Sequence, residues 1–94
     1  MEKLMVRTED IIWRRIGDEI VVIQDDGMSV HVLNKTAAYI WELCDGTRGT
    51  GEITDSLCER FDVGIEEARV DVQEILERLS QIGILNHSQE ATGQ

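Results

Sequence analysis

The chain predicts an α+β domain, a three-stranded antiparallel sheet followed by three helices. Two observations carry that expectation. Between residues 11 and 33, short β-branched runs are separated by glycine-containing turn signals. From residue 35 onward the apolar residues recur at spacings of three and four, the period of an amphipathic helix.

The first strand is expected over Ile11-Ile12-Trp13-Arg14-Arg15-Ile16, with Gly17-Asp18 as a tight turn. Glu19 to Gln24 forms the second strand around Ile20-Val21-Val22-Ile23. Asp25-Asp26-Gly27 supplies the next turn, its glycine free to take a positive φ. The third strand spans Met28 to Leu33, with Met28, Val30 and Val32 on one face and Ser29 and His31 on the other. Asn34 then caps a helix over Lys35 to Cys44 by accepting from free N–H groups of its first turn. Ala37, Ile40, Trp41 and Cys44 mark its apolar side, and Asp45-Gly46 gives a left-handed exit.

A second helix begins near Gly51 and carries Ile53, Leu57, Cys58 and Phe61 on one side. A third runs from Ile65 to Ile82 with Ala68, Val72, Ile75, Leu79 and Ile82 as its core stripe. Gly83 ends it, and Ile84-Leu85 packs back onto the core. Residues 1–87 form one expected domain, and residues 88–94, SQEATGQ, a disordered tail.

Charge narrows the partners. Nineteen acidic against nine basic residues give a net charge of -10, which repels phosphate backbones and anionic lipid surfaces. No apolar run is long enough to span a membrane, and MEKLMVRTED does not have the pattern of a secretory signal. Cys44 and Cys58 are not in CxxC spacing and fall on apolar helical positions, so both are expected to pack as small hydrophobes. The expected compartment is the cytoplasm.

Catalytic and cofactor chemistry finds no footing. His31 and His87 have no spacing that suggests a metal pair, so no metal site is expected. Asp25-Asp26 is turn chemistry, and Glu66-Glu67 sits in a first helical turn where the dipole favours negative charge. No phosphate-loop, dinucleotide or nucleophile-elbow motif occurs, and Gly46 to Gly51 is expected to be an inter-helix turn. The expectation is a protein without catalytic residues, metal or cofactor.

Three helices and a small sheet are also the inventory of a winged helix-turn-helix, an architecture used to bind DNA. Here the third helix carries Glu66, Glu67, Asp71, Glu74 and Glu77 against Arg69 and Arg78. The second carries Glu52, Asp55 and Glu59 against Arg60. Neither helix could approach a duplex without repulsion, so nucleic acid is not an expected partner.

The stretch LNKTAAYIWELCDGTR, Leu33 to Arg48, resembles the signature of the PqqD-like family. The resemblance covers about residues 11–85. It rests on Leu33-Asn34, Ile40-Trp41, Leu43 to Arg48, Ile53, Leu57, Phe61-Asp62, Asp71-Val72, Leu76 and Leu79, taken in order and spacing. The family often places Ser or Thr before the second helix and a Ser/Asp-Pro pair before the third. This chain has Gly49-Thr50-Gly51 and Gly64-Ile65 there, with Glu52 and Glu67 available at the third helical position of each.

The resemblance implies a recognition module on a winged-helix-like fold. It would bind the leader of a ribosomally made precursor peptide and present it to a modifying enzyme, often a radical S-adenosylmethionine protein. The leader would add as a strand to the third strand, against the third helix, with backbone bonds supplying affinity and pockets supplying selection. Carried onto this sequence, the peptide-binding residues would be Ser29, Val30, His31 and Val32 on the edge. On the helix they would be Arg69, Val72, Gln73, Leu76 and Ser80. Leu76 stands equally as an apolar anchor or as plain core, and Arg69 as a selector or as a partner of Glu66 on a solvated face. The alternative is a generic winged-helix interaction module or regulator. Because an open edge can also pair with its own copy, a monomer or weak homodimer is expected.

Overall fold

The computed structural model describes residues 4–9, 11–24 and 27–88, with the side chains of His87 and Ser88 excepted. Nine elements follow in order: β1 (Leu4–Arg7), β2 (Ile12–Ile16), β3 (Glu19–Ile23), β4 (Val30–Leu33), α1 (Lys35–Leu43), β5 (Asp45–Gly49), α2 (Thr50–Phe61), α3 (Ile65–Gln81) and β6 (Leu85–Ser88). They build two antiparallel three-stranded sheets, ordered β2-β3-β4 and β5-β1-β6.

The first sheet is the expected meander. Alternation sends Ile20, Val22 and Leu33 inward, where they are buried. On β2, Trp13 and Arg15 face inward as well. Trp13 meets the buried Trp41 of α1 edge to face at 4.8 Å, and Arg15 forms an ion pair with Glu42. Gln24 N–H donates to the Ser29 carbonyl across the hairpin, and Gly27 takes φ +71°. Asp25 and Asp26, expected in that turn, lie outside the described residues.

Asn34 caps α1 as expected, its side chain accepting from Ala37 N–H at 2.9 Å. In α2, Glu52 accepts from Gly49 N–H at 3.2 Å and so compensates for a cap residue without a side chain. Asp62 closes that helix in the left-handed region, at φ 53°.

The second sheet was not expected, and it corrects the assignment of residues 46–51 as a turn. Asp45–Gly49 is a strand that pairs with β1, Leu4 opposite Gly49 and Met5 opposite Arg48. Asp45 organises its start. Its carboxylate accepts from Thr47 N–H and Oγ1, at 3.1 and 2.6 Å, and from Arg48 Nη1 at 3.1 Å. Those bonds hold the Asp45 carboxyl below its usual pKa, the Thr47 hydroxyl being the largest cause. Gly46 takes φ +90° inside β5, where a Cβ would stand 3.6 Å from Val6 Cγ2, so it belongs to the strand entry rather than the helix exit. Cys44 is the residue that ends α1.

Arg7 joins the second sheet to the rest. It donates to the Trp41 and Glu42 carbonyls at the end of α1, at 3.2 and 2.9 Å, and lies over the Trp13 and Trp41 rings. One core cluster runs from Ile20 and Trp41 through Leu57 and Leu79 to Ile84 and Leu85. The expected return of Ile84-Leu85 onto the core is therefore present. Strand β6 runs one residue into the expected tail, and residues 89–94 lie outside the described residues.

The stripe on α3 differs from expectation. Ala68, Val72, Leu76 and Leu79 are buried, while Ile75 and Ile82 are half-buried. The cause is cover: Ile75 and Ile82 border a groove beside β4 that no described residue fills.

Candidate peptide-binding groove

Among the described residues, strand β4 is an edge of its sheet, paired on one side only. The Gln24–Ser29 bond sets the phase of the antiparallel ladder. His31 and Leu33 then bond inward to β3, and the N–H and C=O groups of Val30 and Val32 point out from the edge. Of the two edges, β2 carries Arg14 and Arg15, whereas β4 carries no formal charge among Val30, His31, Val32 and Leu33. Charge on an edge is a common device against strand pairing. The β4 edge lacks that device.

Beside β4 runs a groove of about 390 Å³. Its walls are β4, the start of α1 at Asn34 and Ala37, and the face of α3 that bears Ile75, Arg78, Leu79 and Ile82. Most of these groups are apolar, and Arg78 is the one cation among them. Gln24 braces one end: its Nε2 donates to the Ile82 carbonyl at 3.0 Å while its Oε1 lies 3.0 Å from His31 Nε2. Gly83, at φ +85°, leaves room for that side chain, since a Cβ there would stand 3.2 Å from Gln24 Nε2.

The expected site residues divide. Val30, His31 and Val32 lie in the groove, and Ser29 precedes the strand, its carbonyl committed to Gln24. The five expected on α3 do not face β4. Arg69, Gln73, Leu76 and Ser80 line a separate cavity of about 800 Å³, shared with Met5, Ile65 and the start of α2. Arg69 is paired with Glu66 at 3.2 Å there, and Leu76 is only 7% exposed. Val72 is fully buried and has no surface to offer. The face toward β4 was missed because a helical wheel gives angles between residues and not the direction of the sheet. The half-polar step from Ile75 to Arg78 to Ile82 was the available signal.

Among the described residues, no group of three or more His, Cys, Asp or Glu could hold a metal ion. The buried Cys44 thiol donates to the Ile40 carbonyl at 3.2 Å, and burial pushes its pKa to about 12. It stays protonated at neutral pH and is a poor nucleophile.

A family model described as "Coenzyme PQQ synthesis protein D (PqqD)" matches residues 19–85. The chain belongs to the PqqD family. A curated relative from Methylococcus capsulatus, named PqqA binding protein, is 41% identical over 66 residues, which cover 69% of this chain. The match spans 66% of that relative, just under two thirds of its length. Among solved structures, TbiB1 in complex with the TbiA(beta) leader peptide has a TM-score of 0.77 at 20% identity, covering 95% of this chain and 99% of that one. Lasso peptide synthetase B1 complexed with its leader peptide has a TM-score of 0.76 at 17% identity, covering 87% of this chain and 96% of that one. The heterocyclase TruD contains the same fold: TM-score 0.67, 15% identity, 97% of this chain but 12% of that one. At such identities these likenesses establish the PqqD-type fold. They also fit an α+β, winged-helix-like description with a second sheet added.

Proposed function

We propose that this PqqD-family chain is a leader-peptide-binding accessory protein. It takes the leader of a ribosomally made precursor as a fourth strand on β4, against the Ile75, Leu79 and Ile82 face of α3, and presents it to a modifying enzyme. The observation that carries this reading is an uncharged strand edge, with its outward backbone groups beside an apolar groove. The relative named for binding PqqA supports a peptide as the ligand, and the two leader-bound structures support this fold as a holder of leaders. A radical S-adenosylmethionine enzyme is the partner we propose, and the cytoplasm the compartment. No helix of the described residues is long and apolar enough to cross a membrane. Catalysis belongs to the partner in this reading, and the free protein is a monomer or a weak dimer paired through β4.

Residue-resolved amide exchange tests it, with a synthetic PqqA peptide, the ligand in the relative's name, as the leader probe. Bound leader is expected to slow exchange at Val30 and Val32 N–H by about ten-fold or more, as an outward donor gains a carbonyl partner. Protection confined to the start of α2 and residues 65–73 would place the peptide in the other cavity and defeat the assignment.

A further inference from the structure

The outward face of the β2-β3-β4 sheet is mostly apolar and, among the described residues, largely exposed. Register sets Ile12, Ile23 and Val30 in one row across the three strands, and Arg14, Val21 and Val32 in the next, with Ile16 beside Glu19 in the third. Ile12 is 63% exposed, Ile16 61%, Val32 61% and Val30 54%. Single exposed aliphatic side chains are ordinary, but a contiguous set on one sheet face marks an interaction surface. Two charges punctuate it, Arg14 and Glu19. Neither makes a hydrogen bond or ion pair with any described residue, whereas the inward neighbour Arg15 is paired with Glu42.

We propose that this face docks the modifying enzyme, and the proposal rests on the peptide-binding reading above. The enzyme would bring an apolar patch with a carboxylate opposite Arg14 and a cation opposite Glu19. Charge argues against a second copy as the occupant, because it would bring another net charge of -10 to the contact. Continuity argues for the enzyme. Val30 and Val32 belong both to this face and to the edge strand, and an added leader strand would turn every second side chain onto the same face. An enzyme seated here touches the leader where it leaves the groove. The occurrence of this fold as 12% of the TruD heterocyclase chain shows it compatible with a place inside an enzyme.

The test uses the full chain, a synthetic PqqA peptide and a purified radical S-adenosylmethionine enzyme that takes that peptide as substrate. Ile12→Ser, Ile16→Ser and Arg14→Glu all lie on β2, across the sheet from the leader edge, and replace exposed side chains. Each is expected to weaken enzyme binding about ten-fold or more in surface plasmon resonance. Leader affinity is expected to stay within about two-fold, with melting unchanged. Glu67→Ala, on α3, should alter neither affinity. Enzyme binding unchanged in all three β2 variants would overturn the proposal. So would a wild-type dimer in sedimentation that Ile16→Ser dissociates, since a second copy would then cover the face. A protein that ignores the leader yet loses the enzyme in these variants would sink the peptide reading alone and support the docking face.

Discussion

Helix α3 borders two depressions that differ in what they offer a ligand. The cavity beside Met5 is the larger, about 800 Å³ against about 390 Å³ for the groove beside β4. It is nevertheless bounded by backbone already in use. β1 is the middle strand of its sheet, paired with β5 on one side and β6 on the other. The smaller groove borders a strand with one side open. For an extended peptide, unpaired backbone groups matter more than volume, because they supply a row of hydrogen bonds whatever the peptide's side chains. The two depressions also part the side chains of α3 cleanly, Ile75, Arg78 and Ile82 to one and Arg69, Gln73 and Ser80 to the other.

Substitutions that touch only one depression can break that contrast. Val32→Pro should have the largest effect. It removes an outward donor and blocks the approach of a strand, while the bonds from His31 and Leu33 to β3 remain. Loss of about two backbone bonds corresponds to about 2 kcal/mol, a leader affinity about 30-fold weaker by calorimetry. Unchanged affinity in a variant that melts normally would mean the peptide does not join this edge. Ile75→Ser comes next. It removes apolar surface from the groove wall and should weaken binding about ten-fold, an effect of one buried aliphatic contact. The smallest effect is expected from Gln73→Ala, an exposed residue of the other cavity, with affinity unchanged within about two-fold. A Gln73→Ala loss larger than the Ile75→Ser loss would reverse the comparison and move the peptide to the larger cavity.

Most of the family signature lies in neither depression. In Leu33 to Arg48, Asn34 caps α1, Ile40, Trp41 and Cys44 fill the core, and Asp45 ties Thr47 and Arg48 into the start of β5. These residues build the junction between α1 and the second sheet. Leu33, Asn34 and Ala37 also line the groove beside β4. A motif recognised in sequence was therefore informative about fold, and only indirectly about binding. Arg7, which reaches across to the same junction, was not legible as a structural residue. Its partners are backbone carbonyls at Trp41 and Glu42 and two rings, none of which leaves a mark on the sequence around it.

What the sequence determined by itself was local. Alternation and turn residues placed the β2-β3-β4 meander, and apolar periodicity placed three helices to within a residue or two of their ends. The acidic faces of α2 and α3 were likewise fixed by composition and spacing. Tertiary structure alone decided the rest. The strands β1, β5 and β6 have four or five residues each, and they exist because Leu4 pairs with both Gly49 and Ser88. Pairing between residues so far apart in the chain has no local signature. The same holds for the side of α3 that meets β4. Periodicity fixes which residues share a helical face, but only tertiary packing sets Ile75 and Ile82 along the groove beside β4 and Leu76 along the cavity beside Met5.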